Sequence, residues 1–288
     1  MSSNAMIGSL YYRHPEILLE SLSQMNDSYT KNAKKSSNKL MRLMQQFYIF
    51  LFGIPEIGFQ VRSMYYRWAL GEVIKHAQPK KVLDAGSGIG NYVFDMARGL
   101  FGVEADGWEI DRRKLQFAKD FADELKITNA HFSYGDITKK PKIVGAYDFV
   151  VNVDVLEHVK EYKKALTHLY VSLKPGGYLF IHTPQAHQKR FFRQFETWEH
   201  EDHVREGFEP DALRRDLERI GFEVLAVRNS FGFFGSLAWE LNHLLLGRHM
   251  ILAGLLYPFL YVLALLDPTV RNSRGLCFAI LARKKDKT

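Results

Sequence analysis

Three glycines at alternate positions, Gly86, Gly88 and Gly90, follow the apolar pair Val82-Leu83 and the carboxylate Asp84. An apolar run breaking into such a turn reads as a buried strand giving way to a helix, and the bare N–H groups at that helix start cradle a nucleotide. Ser87 lies inside the turn. A dinucleotide site needs glycine at the sixth place, where the helix must pack beneath a pyrophosphate, but Asn91 stands there. Asp84 would repel a pyrophosphate and attract a cation, which argues against a pyridine-nucleotide oxidoreductase. Glu109, about 20 residues beyond the last glycine, is placed to accept both hydroxyl protons of a ribose. A second group, Asp154, Glu157 and His158, falls within five residues directly after Asn152. An imidazole can take a proton near neutral pH, and such a trio could also ligate a divalent metal. His203 lies in a later stretch of histidines and aromatics, within Asp202-His203-Val204-Arg205. Its H-E-D-H run matches no zinc signature, and no metal site is assigned.

These groups need elements to hold them. The pattern predicts a strand from Val82, a helix over Tyr92–Leu100, a strand over Val103–Ile110 and a helix over Arg112–Leu125 capped by Asp111. Strands follow at Ala130–Tyr134 and at Tyr147–Asn152, the latter apolar enough to be buried on both faces. A helix over Glu161–Leu173 ends at Lys174-Pro175-Gly176-Gly177 before a strand at Tyr178–His182. A helix from Glu209 through Ile220, a strand at Phe222–Arg228 and a last strand at Leu276–Ala282 complete the series. Alternating strands and helices define a doubly wound, Rossmann-like α/β sheet with ligands at its carboxyl edge.

With these motifs in register, Val82–Ile181 resembles the class I S-adenosylmethionine-dependent methyltransferases, and VDVLEHV resembles the E-x-L-E-H-V stretch of the ubiquinone-biosynthesis O-methyltransferases, with Asp154 replacing the first glutamate. The resemblance implies a seven-stranded sheet with its last strand antiparallel and S-adenosyl-L-methionine as cofactor. It implies that Ile110 packs on the adenine, that Asp136 binds the adenine amino group and that the Ile137 N–H meets a ring nitrogen. Asp84, Gly86, Ser87, Gly88, Gly90, Glu109 and Asn152 complete the expected cofactor set. His158 is then the expected base, with His203 second, because a methyl sulfonium is already activated and leaves chiefly alignment and proton removal to the protein. A metal held by Asp154, Glu157 and His158 is the alternative, as is local packing for His158. N-terminal helices that fold over the cofactor bring Arg62 and Arg67 into consideration, each weighed against a solvated helix face. His187 and His200 read as exposed loop residues.

The division expected is a lead-in over 1–38 beginning with an expression scar, a helical cap over 39–77 and the methyltransferase domain over 78–284, with an insertion over 230–272. That insertion holds an apolar helix at Ser236–Leu246 and then Met250–Leu266, seventeen uncharged residues interrupted by Pro258. A span would strand the last β-strand across the bilayer, so three readings remain: a pair dipping into the membrane interface, a lid or dimer surface, or a hairpin buried on the cap. The net charge of +7 suits an anionic surface or an acidic substrate. One cysteine, Cys277, excludes an intrachain disulfide, and with no secretory signal the expected place is the cytoplasm, peripheral to the membrane in the first reading. The expected acceptor is small or lipid-like and methylated on oxygen. A sugar or other polar metabolite, or a non-catalytic cofactor-binding scaffold, is the alternative. A nucleic-acid substrate is disfavoured, since no Asn/Asp-Pro-Pro-Tyr/Phe motif follows the fourth strand.

Overall fold

A computed structural model describes residues 39–52, 56–141, 143–192, 195, 203–246 and 250–285. The lead-in over 1–38 and His200 lie outside the described residues. Two helices come first, α1 (Lys39–Phe52) and α2 (Ile57–His76). Then β1 (Lys81–Ala85), α3 (Asn91–Gly99), β2 (Glu104–Glu109), α4 (Arg112–Glu124), β3 (Ala130–Tyr134) and β4 (Tyr147–Val153) alternate. After a short 3-10 turn at Leu156–His158 come α5 (Tyr162–Ser172), β5 (Leu173–Pro184), α6 (Pro210–Ile220) and β6 (Phe222–Ser230). The helices α7 (Phe233–Leu246) and α8 (Met250–Leu265) precede β7 (Cys277–Lys284).

Among the described residues seven strands form one sheet in the order β3-β2-β1-β4-β5-β7-β6, and β7 runs antiparallel to both of its neighbours. The chain reverses strand order at β1 and β4, which opens a crevice at their carboxyl ends. Phe149, Val150 and Val151 of β4 are fully buried, as a central parallel strand requires. On one face the core joins α2, α3, α4 and the insertion, and on the other it joins α5 and α6. Asp111 caps α4 by accepting from the Arg113 and Lys114 N–H groups, and Pro210 with left-handed Gly221 bounds α6.

One boundary differs from the sequence pattern. The Lys174–Gly177 turn lies inside β5, because Leu173 pairs with Tyr147 and pairing resumes at Tyr178 with Phe149. The turn bulges out of a strand that has already started. The insertion has two faces, one of them packed on the cap as the buried-hairpin reading expects. Ala253, Tyr257, Leu260 and Ala264 of α8 are buried in the core shared with α2, while Leu255 and Phe259 are 67% and 65% exposed. Pro258 is accommodated within α8.

Candidate functional site: the carboxyl edge of β1, β2 and β4

The glycine turn joins β1 to α3, and its N–H groups are fixed by β2: those of Gly86 and Ser87 both donate to the Trp108 carbonyl, at 2.8 and 2.9 Å. Gly86, Gly88 and Gly90 all have positive φ, the region side chains rarely adopt. Their surroundings differ in a telling way. A Cβ on Gly90 would strike Phe132 and Phe94 within 2.8 Å, so this glycine lets α3 press against the sheet. A Cβ on Gly88 would meet nothing within 4 Å, so this glycine faces open space.

Glu109 ends β2 with both carboxylate oxygens engaged. Oε2 accepts from the Gly88 N–H at 2.7 Å, and Oε1 accepts from the Ile110 and Asp111 N–H groups at 2.8 and 2.7 Å. Backbone donors thus fill both lone pairs of Oε1, while Oε2 keeps a second one for a hydroxyl in a direction the backbone has already fixed. Asp84 is the contrary case. It is buried, and neither of its oxygens has a hydrogen-bond partner among the described residues. Burial, and then the nearby Glu109 charge, push its carboxyl well above the ordinary carboxylate range. Asn152 donates to the Ala85 carbonyl at 2.6 Å and leaves its buried oxygen without a donor, as Ser87 leaves its hydroxyl. A buried acid flanked by unmatched polar atoms fits a cationic polar ligand.

Ile110 is 57% exposed rather than part of the core, and its apolar side chain lies open beside the crevice. Asp136 sits in an Asx turn, its Oδ1 accepting from the Thr138 N–H and hydroxyl at 2.8 and 2.7 Å. Burial would raise its carboxyl, but the Thr138 bonds outweigh that and hold it below its usual value. The Ile137 side chain is buried in the core on the α5 side.

The turn after β4 carries the groups able to move a proton. The rings of His158 and His203 meet edge to face with centroids 4.5 Å apart. Arg205 staples the two segments together, its guanidinium donating to the carbonyls of Leu156, Val159 and Lys160, while the Val204 N–H donates to the Glu157 carbonyl. Beneath them Glu157 is buried and accepts from the Thr183 hydroxyl at 3.1 Å. Burial, then repulsion from Asp154, raises its carboxyl to about 8. One ligand atom from each of Glu157, His158 and His203 lies within 4.8 Å of the others.

Asp154 is not in that group. In a left-handed conformation, φ 51°, it turns toward α2, where Oδ2 pairs with Arg62 at 3.1 Å and Oδ1 meets His182 Nδ1 at 2.7 Å. Burial opposes its ionisation, yet the Arg62 and His182 charges hold it below the ordinary range. The trio of Asp154, Glu157 and His158 is therefore replaced by Glu157, His158 and His203. The reason is that Asp154 is committed to the cap. The solvated-face reading of Arg62 also fails: its side chain is 15% exposed and bridges Asp154 to Glu56. His182 is wholly buried and reaches the Ser230 hydroxyl through Nε2 at 2.8 Å. His187 is exposed as expected. Its partners are the surface carboxylates Glu206 and Glu209 at 3.9 and 4.0 Å. The linkage of Arg62, Asp154, His182 and Ser230 leaves no signal in the sequence, because its members come from α2, the turn after β4, β5 and β6.

Residues 66–227 match the family model described as a methyltransferase domain. With that sheet order and this crevice, the chain belongs to the methyltransferase domain family, within the class I S-adenosylmethionine-dependent superfamily. It is 30% identical over 114 residues to a ubiquinone biosynthesis O-methyltransferase of Marinobacter nauticus, covering 39% of this chain and 47% of that protein. It is 29% identical over 100 residues to phosphoethanolamine N-methyltransferase 2 of Caenorhabditis elegans, covering 35% and 23%. The chain thus spans about half the length, or less, of the curated relatives it matches. Among solved structures, the [4+2]-cyclase SpnF is similar with a TM-score of 0.53, at 21% identity over 77% of this chain and 81% of that one. A putative sarcosine dimethylglycine methyltransferase from Galdieria sulphuraria gives 0.52, at 18% identity over 77% and 85%. These likenesses show the fold.

Proposed function

We propose that this protein transfers a methyl group from S-adenosylmethionine to a small, lipid-like acceptor, on oxygen. The supporting observation is the pairing of a buried, unmatched Asp84 beneath the glycine turn with a histidine pair at the same sheet edge. Asp84 would face the cationic end of the cofactor, Glu109 its ribose, Ile110 and Asp136 its adenine, and the Ile137 N–H a ring nitrogen. Gly88 leaves the room, and Gly86, Ser87, Gly90 and Asn152 shape the floor. The cofactor supplies an activated methyl group. The protein's own task is to hold an acceptor in line, exclude water and take up one proton.

His158 is exposed and is the group to receive that proton, with His203 against its ring and Glu157 beneath. Glu157, largely protonated at neutral pH, can donate a hydrogen bond rather than repel a phenolic or alcoholic oxygen. Phe191 and Phe192, whose N–H groups donate to the buried Glu240 of α7, tie the loop after β5 to the apolar insertion. That wall suits an acceptor with an apolar body. The deciding experiment is calorimetry with S-adenosylmethionine and S-adenosylhomocysteine on the wild type, Glu109→Ala and Asp84→Ala. Micromolar binding that both substitutions abolish supports the reading, and no binding by the wild type removes it. An acceptor screen then begins with quinone-like and lipid phenols and includes amines, because an ammonium acceptor also has a proton to lose.

A further inference from the structure

The outer face of α8 has no role in the site described above. Leu252, Leu255, Leu256, Phe259, Val262 and Leu266 recur at helical spacing and are all exposed, and Met250–Leu265 contains no charged residue. The stretch Leu252–Thr269 is long and apolar enough to cross a membrane, and 28% of it is buried within the protein. It cannot cross while folded, because its inner face is packed in the core with α2 and because β6 and β7, on either side of the insertion, pair in one sheet. A helix held along one face and apolar on the other lies in the plane of an interface.

We propose that α8 docks the protein onto the surface of a bilayer bearing anionic lipid, with Phe259 and Leu255 entering the acyl boundary and Arg271 and Arg274 meeting the headgroups. Both arginines are exposed just beyond the helix, and the chain carries a net charge of +7. Charge complementarity selects lipid over a second copy of the chain. In a two-fold dimer the same basic rim would face itself, whereas an anionic surface neutralises it. Helix α1 repeats the pattern on a smaller scale, with Leu43, Met44, Phe50 and Leu51 exposed beside Lys39 and Arg42. Position strengthens the assignment. Strand β6 runs parallel to β5, so the insertion springs from the same carboxyl edge that carries His158 and His203. Docking there would bring the acceptor wall to the lipid.

This inference stands apart from methyl transfer, and so does its test. The full chain is sedimented with vesicles of phosphatidylcholine alone and of phosphatidylcholine with roughly one third phosphatidylglycerol, at low and at raised salt. Preference for the anionic vesicles by about tenfold, weakened by salt, is expected. The double variant Leu255→Glu/Phe259→Glu should lose about tenfold in vesicle binding while keeping the wild-type circular dichroism and calorimetric S-adenosylmethionine binding. Arg271→Glu/Arg274→Glu should remove the preference for anionic lipid and leave the fold unchanged. Wild-type protein that stays in the supernatant with both vesicles overturns the proposal. So does a double variant that binds as well as the wild type, or a soluble dimer that Leu255→Glu/Phe259→Glu converts to monomer. Loss of S-adenosylmethionine binding by the wild type would remove the proposed function and leave the vesicle result standing.

Discussion

At the scale of single residues, the proposed function gives Asp84 and Gly88 the task of defining what the crevice accepts. Burial raises the Asp84 carboxyl, and a cation arriving beside it favours the ionised form, so binding draws its titration back down. Affinity for S-adenosylmethionine should therefore rise as pH climbs above the ordinary carboxylate range. The calorimetric heat should also change with the ionisation enthalpy of the buffer. Asp84→Asn should bind at least about tenfold more weakly and lose both dependences. Gly88 tests space rather than charge. Alanine there meets no atom, so only its left-handed backbone is strained, at about 1 kcal/mol. Gly88→Ala should fold with a melting temperature a few degrees lower and yet fail to take up the cofactor in calorimetry. The sequence makes these positions legible because glycine spacing and a carboxylate before a turn are local statements. It conceals Glu157 as a buried acid, since nothing in Leu156-Glu157-His158 indicates which side of a 3-10 turn faces inward. It likewise conceals the turning of Asp154 away from its neighbours, which is decided by Arg62, some ninety residues earlier.

At the scale of elements, α2 acts as a clasp. Its Arg62 holds the turn after β4, and its Tyr65 hydroxyl donates to the buried Asp267 at 2.9 Å, just beyond α8. Asp267 also accepts from the Gly235 N–H at 2.9 Å, so one carboxylate joins α2, α7 and the end of α8. Tyr65→Phe removes one partner from a buried acid and should cost about 1–3 kcal/mol in urea unfolding. An unchanged midpoint would show that the clasp carries no load. Strand and helix positions in the sheet are legible from hydrophobic period and turn residues, as with Ala130–Tyr134, which the pattern and the structure bound identically. Legibility fails for the insertion for a physical reason. An almost wholly apolar helix has no polar side to point outward, so periodicity cannot tell its packed face from its bare one.

At the scale of the whole molecule, buried acids set the response to pH. Burial raises Glu157 to about 8 and Asp95 to about 7, and it also raises Asp84 and Asp267. The folded chain therefore binds more protons than the unfolded one once pH exceeds the ordinary carboxylate range. Stability from these groups is full below that range and is lost as pH rises toward 8. Asp154 and Asp148, held low by basic partners despite burial, act in the opposite sense and lose their contribution in acid. The urea midpoint should peak just above the ordinary carboxylate range, at about pH 4 to 5, and fall as pH rises toward about 8. Glu157→Gln should flatten the upper part of that fall.

The sheet order carries a consequence for how the chain is made. Strand β7 leaves the ribosome after the other six strands of the sheet, yet it lies between β5 and β6 and provides both of their pairings on that side. Until it emerges, β6 has no neighbour, β5 presents an open edge, and α8 has already been synthesised with its outer face bare. For that interval the nascent chain exposes two unpaired strand edges and a greasy helix at once, when aggregation is easiest and a waiting surface is most useful. Arrival of the eight residues of β7, Cys277–Lys284, is thus the event that seals the sheet.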